Sequence, residues 1–282
     1  MQITLTGIQI LGFTIGWYGI IVVAGACFGA VIAAWAARQD GKDGEHVWRA
    51  LPSIVLCGLV GARLWFILLP PTSIVDNGRT AGWFLSHFFD LNQGAVALWT
   101  GGLGLIGGIA GGIFALWRYT RHHYLPLLPW LDIGVLGLCA GQIIARWGNA
   151  ANQDLYGPPT GLPWGVLITN EAQRVGIYTD LTQYPLASTR FHPVYLYESL
   201  WTLIIFLVLL WLFLRQRDRL RAGDLTLLYI ILYGVGRFFL EFLRVNASLI
   251  GMINVSQAVV GFAVLVCIPL LIRRGFMKYS EL

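Results

Sequence analysis

Along this chain polar residues are scarce, and they gather between long apolar runs rather than alternating with them. Runs of roughly 20 mostly apolar residues lie near 12–37, 50–70, 96–117, 126–147, 193–214, 224–244 and 249–272. Each is long enough for a helix to cross a hydrocarbon core about 30 Å thick. The pattern predicts an all-α polytopic membrane protein of about seven transmembrane helices, forming a single integral-membrane domain over 1–282. The longest connection, 158–190, holds Pro158, Pro159, Pro163 and Pro185 together with Glu171, Arg174, Tyr178 and Asp180. A polar segment of that length reads as an outer loop or cap. Residues 1–11 are weakly amphipathic and are expected on the outer surface. No basic stretch precedes the first apolar run, so that run reads as a permanent anchor and not as a cleaved signal.

Composition sharpens this picture. The chain is 57% hydrophobic and 12% charged, with a mean hydropathy of +0.68, against about 25% charged residues in soluble domains. Twelve of its 19 basic residues fall in alternate connections and the tail: Arg38, Lys42 and Arg49, then Arg118 and Arg121, then Arg215, Arg217, Arg219 and Arg221, then Arg273, Arg274 and Lys278. The other side carries Arg79, Arg174 and Arg190. Cytoplasmic loops are enriched in Lys and Arg, so the N-terminus is expected outside and the C-terminus in the cytoplasm. The net charge of +5 is then a topology signal; no basic face with base-reading or stacking groups points to nucleic acid. Cys27, Cys57, Cys139 and Cys267 lie inside apolar segments without metal-ligand spacing and read as small buried hydrophobes. His122 and His123 stand beside Arg118 and Arg121 in a loop, and no metal is assigned to them.

Four arginines remain, Arg63, Arg146, Arg237 and Arg244, all within or at the ends of apolar segments and, by this topology, toward the outer leaflet. Ionisable groups at membrane depth face a cavity or one another. The stretch Ala140–Gly157, AGQIIARWGNAANQDLYG, concentrates them. Arg146, Asn149 and Asn152 are spaced three apart and share a helix face, with Asp154 just beyond. Tyr233, Arg237, Glu241 and Arg244 form a second stripe at i, i+4, i+8 and i+11. Glu198, one turn into an apolar helix that follows His192 and Pro193, requires a partner, and the intramembrane arginines are the candidates. Asp132, at the start of the fourth helix, reads as a first-turn anion without chemistry. Glycines at 101, 102, 104, 107, 108, 111 and 112 weaken the third helix but permit close packing. Arginine binds phosphate bidentately and stays charged when desolvated. The arrangement therefore suits a phosphate-bearing lipid.

These residues resemble a known family, the prolipoprotein diacylglyceryl transferases. The family signature reads roughly G-R-x-G-N-x-x-N-x-E-x-x-G, and residues 145–157 here read ARWGNAANQDLYG. Similar too are Trp17-Tyr18-Gly19, Gly61-Ala62-Arg63, Trp99-Thr100-Gly101-Gly102, His192-Pro193 followed by Leu196-Tyr197-Glu198, and the run from Arg237 to Arg244, all in the same order. The resemblance implies a bacterial plasma-membrane enzyme whose site opens to the outer leaflet. It would move the diacylglyceryl group of phosphatidylglycerol to the lipobox cysteine of a prolipoprotein, giving a thioether and glycerol 1-phosphate. Arg146 and Arg237 would hold the head group and its developing charge. Tyr18, Asn149, Asn152, Asp154, Tyr233 and Glu241 would line and order the pocket, Gly157 closes the signature, and Arg63 and Arg244 join as further lipid-binding cations. No metal or organic cofactor is implied. Three positions depart from the pattern: Ala145 replaces glycine, Asp154 replaces glutamate, and Ile106 stands where many members carry a histidine. With that histidine absent, His192 and Glu241 are the candidate bases. Two other classes stay open: a non-catalytic phospholipid-binding paralogue, motivated by Ile106, and an organic-anion transporter, motivated by the buried arginines.

Overall fold

The computed structural model describes residues 2–3, 7–10, 13–70, 78–97, 104–245, 249–250 and 253–275. The chain forms two compact units, Met1–Ala36 with Leu131–Leu282, and Ala37–Trp130. The first unit opens with an antiparallel meander of β1 (Gln2–Ile3), β2 (Gly7–Ile10) and β3 (Phe13–Gly16). It leads into α1 (Trp17–Gln39). The second unit holds α2 (Glu45–Leu68), the short α3 (Ala81–Ser86) and α4 (Leu105–His122). Next comes α5 (Leu127–Asn152), and then the 158–190 connection, pinned by the hairpin of β4 (Val166–Leu167) with β5 (Arg190–Phe191). The chain continues through α6 (Val194–Arg215), α7 (Asp224–Leu240), a hairpin of β6 (Leu249–Ile250) with β7 (Ile253–Asn254), and α8 (Val255–Arg273).

Among the described residues, six helical spans are long and apolar enough to cross a membrane: Trp17–Gln39, Glu45–Leu68, Leu127–Asn152, Val194–Arg215, Asp224–Leu243 and Val255–Arg273. This is an all-α polytopic membrane protein. Its helices expose apolar side chains such as Leu56, Leu207 and Phe262, which lipid solvates and water does not. The seventh expected segment, 96–117, coincides with α4, but glycines and the cationic end Arg118–His122 dilute its apolarity. Its Trp99-Thr100-Gly101-Gly102-Leu103 start lies outside the described residues.

Close helix packing rests on glycine. On α1, a Cβ at Gly29 would sit 2.5 Å from the Gly137 carbonyl oxygen of α5, and one at Gly25 would sit 2.7 Å from that of Gly141. On α2 and α4, Gly61 and Gly107 oppose each other so closely that a Cβ on either would strike the other's carbonyl. In lipid, such backbone approach supplies the packing that holds helices together.

Asp132 departs from its expected role. Its carboxylate accepts from the backbone N–H groups of Gly223 (2.6 Å) and Thr226 (2.9 Å) and from the Thr226 hydroxyl (2.7 Å). It caps α7, a different helix, whose first turn follows Gly223 in the left-handed region at φ 95°. Each helix start leaves backbone donors without intrahelical partners, and Asp132 supplies the acceptor. Ile168 of the 158–190 connection packs with Tyr156 and Phe191, which flank it, in a small core, all three almost fully buried. Burial of each contributes about 2 kcal/mol.

Candidate functional site

Two arginines of the first unit converge on Glu198. This carboxylate, on the first turns of α6, is only 3% exposed. Arg146 of α5 approaches one of its oxygens at 2.8 Å, and Arg237 of α7 pairs with the other. Arg237 also reaches Glu241 at 2.9 Å, and Arg244 reaches the same Glu241 oxygen at 3.3 Å. Asn254, just before α8, adds an amide donor to Glu241 at 3.4 Å. Three guanidinium groups and two carboxylates thus form one chain of ion pairs drawn from α5, α6, α7 and the turn after it. Two unpaired charges would each cost several kcal/mol away from water; paired, they persist at membrane depth.

The second stripe is not one continuous α-helix. It tightens into a 3₁₀ turn over Glu241–Leu243, which brings Arg244 back onto Glu241. Tyr233 accepts from an Arg146 terminal nitrogen at 3.2 Å. One turn along, Tyr229 stacks on Tyr233 with ring centroids 5.5 Å apart and donates to the Gln142 side-chain oxygen at 3.0 Å. Gln142 and Tyr229 lie four residues before Arg146 and Tyr233 respectively, so two parallel rungs join α5 to α7. Neither residue of the inner rung was singled out from sequence; their matched i−4 spacing is the signal that could have found them. Its position in an apolar run marks Glu198 as a carboxylate needing a partner, but its place as the hub follows from the fold.

The amides of the signature segment serve its acid. The Asn149 side-chain nitrogen donates to Asp154 at 2.7 Å, and Asn152 also hydrogen-bonds this carboxylate. Burial nonetheless raises the Asp154 carboxyl above the usual range, against the opposing pull of those two amides and of Arg244. Gly157 is boxed in: a Cβ there would lie 2.6 Å from the Leu243 carbonyl oxygen and 3.0 Å from the His192 Cβ. This places the backbone of His192 beside the turn that carries Glu241. The His192 ring meets the Tyr197 hydroxyl at 3.0 Å, and that hydroxyl accepts from the Trp164 indole at 3.0 Å. Tyr18 is 41% exposed, its ring lies against Gly148, and it is within electrostatic reach of Arg146.

Arg63 belongs to the second unit. Its guanidinium donates to the backbone carbonyls of Ala95 (2.8 Å) and Gly94 (2.6 Å) and lies over the ring of Phe66. Ile106, half-buried on the first turn of α4, lies in this second unit as well. Arg146 keeps a quarter of its side chain accessible and Arg237 about an eighth.

A cluster of three arginines and two carboxylates, paired with one another among the candidate spans, belongs to a polytopic membrane protein with a charged interior. Sequence comparison places it more closely. The profile of the prolipoprotein diacylglyceryl transferases matches residues 6–273, and the chain belongs to that family. It is 38% identical, over 95% of its own length and 86% of the relative's, to the phosphatidylglycerol–prolipoprotein diacylglyceryl transferase of Chloroflexus aggregans. It is 33% identical to the protein of that name from Gloeobacter violaceus, covering 89% of this chain and 86% of the relative. The Synechococcus elongatus protein of that name is 32% identical, covering 90% and 81%.

Proposed function

We propose that this chain transfers the diacylglyceryl group of phosphatidylglycerol to the thiol of a prolipoprotein's lipobox cysteine. The sulfur bonds to the glyceryl carbon, the bond from that carbon to the phosphate oxygen breaks, and glycerol 1-phosphate leaves. One observation carries the assignment: Arg146 and Arg237 share Glu198 within the membrane-spanning helices of a chain from this family. As the carbon–oxygen bond breaks, the phosphodiester gains a second negative charge. Preorganised guanidinium groups favour that charge most where it develops, which is the condition for catalysis.

In this reading Arg146 and Arg237 contact the phosphate, and Glu198 orients both. Tyr233 holds the far side of Arg146, and Arg244 and Glu241 complete the cluster. Asn149, Asn152, Asp154, Gly157 and Tyr18 shape the rim. With Ile106 in place of the histidine common in the family, the thiol proton goes to His192. The alternative base, Glu241, is already engaged by Arg237 and Arg244. Seven spans, an N-terminus outside and a C-terminus in the cytoplasm of the bacterial inner membrane set the site toward the outer leaflet, where a secreted polypeptide arrives.

The test is a transfer assay on the purified protein with phosphatidylglycerol and a synthetic lipobox peptide, following glycerol phosphate release and the peptide mass. Product from the wild type and none from folded Arg146→Ala or Arg237→Ala is expected. Full activity in Arg146→Ala overturns the site assignment, and lipid binding without product identifies a non-catalytic paralogue.

A further inference from the structure

The turn leaving α5 carries a residue that neither the family signature nor the ion-pair cluster uses. Gln153 adopts φ 56°, a left-handed conformation that disfavours any side chain with a Cβ. Its side chain spans outward to the 158–190 connection. The Gln153 side-chain oxygen accepts from the backbone N–H groups of Thr169 (2.7 Å) and Asn170 (2.8 Å), and the Thr169 hydroxyl lies 3.2 Å from that oxygen and 3.0 Å from the amide nitrogen. Those two residues link β4 to the next turn of the cap. Ile168, immediately before them, belongs to the cap core and accepts from Arg174 at 2.9 Å, and the Asn170 side chain starts the next turn by accepting from Ala172 at 3.1 Å. Gln153 also stands directly between Asn152 and Asp154 in sequence. Gln153 therefore ties the cap to the end of the signature turn through its side chain alone.

We propose that Gln153 is a positioning residue that locks the 158–190 cap onto the signature turn and so sets the affinity for the polypeptide acceptor. The lipid phosphate is served by the intramembrane arginines. The cap is extramembrane polar chain, the part that meets a secreted peptide. The signature leaves this position open, so the clamp is a feature of this chain's own residue. The strained backbone is retained because a side chain here grips the cap, which glycine, with no such strain, cannot do.

The proposal rests on the transferase reading, and the experiment separates the two. Full-length wild type, Gln153→Gly, Gln153→Ala and Gln153→Glu are assayed for KM toward the lipobox peptide, KM toward phosphatidylglycerol, kcat and Tm. Gln153→Gly removes the strain and keeps the fold while losing the grip. Glutamate keeps the oxygen that accepts from Thr169 and Asn170. The expected result is a peptide KM about tenfold higher in the Gly and Ala variants, the scale of one or two hydrogen bonds exposed to water competition. The lipid KM and kcat stay unchanged, and Gln153→Glu restores the peptide KM. An unchanged peptide KM in Gln153→Gly, or an equal loss toward both substrates, overturns the proposal. If the wild type makes no product, the transferase reading fails, and hydrogen exchange decides the clamp. Faster exchange of the Thr169 and Asn170 amides in Gln153→Gly supports it, and unchanged exchange overturns it.

Discussion

Replacing Glu198 with glutamine tests the cluster at its hub. The carboxylate is 3% exposed and is shared by Arg146 at 2.8 Å and by Arg237. Glutamine keeps the shape and one acceptor oxygen but removes the charge. Deleting one partner of a buried ion pair costs roughly 3–5 kcal/mol. Two features reduce that here: Arg237 keeps Glu241 at 2.9 Å, and a quarter of the Arg146 side chain is open to solvation. The expected loss is therefore about 2–3 kcal/mol, which at about 2–4 °C per kcal/mol for a chain of this size lowers Tm by roughly 5–10 °C. The assay is thermal unfolding in lipid–detergent micelles of the wild type, Glu198→Gln, Arg146→Gln and the double variant. Because the two residues share one ion pair, the double variant should lose less than the sum of the single losses, with a coupling of at least about 1 kcal/mol. A Tm within about 1 °C of wild type, or losses additive to within about 0.5 kcal/mol, would falsify the hub.

Three further outcomes follow from the same geometry. Asp132→Ala leaves the first turn of α7 without its acceptor and should lower stability by about 1–2 kcal/mol, read as a Tm drop that Asp132→Asn partly restores; equal Tm for Ala and wild type contradicts the cap. Gly137→Leu forces a side chain against Gly29, where a Cβ alone would meet the carbonyl oxygen at 2.5 Å. Overpacking of this kind costs about 1–3 kcal/mol or more, so the variant should accumulate poorly in membranes, whereas Gly134→Leu, where open space surrounds the Cβ position, should not. Asp154 has a folded-state pKa raised by burial, so the folded state holds the proton more tightly than the unfolded chain. Its stabilising contribution is present below the unfolded pKa and is lost as pH rises through the raised folded value. Tm scans from mildly acidic to neutral pH should therefore show a smaller decline in Asp154→Asn than in wild type; identical slopes would rule this out.

Much of this protein is written locally in its sequence. A run of 20 apolar residues is a membrane span whatever its neighbours do, because the bilayer and not the rest of the chain is its solvent. A lone Arg146 or Glu198 inside such a run announces a polar interior for the same reason, since lipid offers no water to solvate it. The family signature, likewise, is a short local string. Pairing is not local. That Glu198 serves Arg146 and Arg237 together, that Glu241 ends α7 in a tighter turn by drawing Arg237 and Arg244 to itself, and that Gln142 and Tyr229 add a second rung all depend on the register at which α5, α6 and α7 pack. Asp132 looks like a cap for its own helix, yet its acceptors serve a helix start 91 residues away. Gln153 sits at an open position of the signature, and only the folded cap shows what it holds. A charge inside a membrane must find a partner, and hydropathy tells where the charge is; which partner it finds is decided by distances of 2.5–3.5 Å, which tertiary packing alone sets.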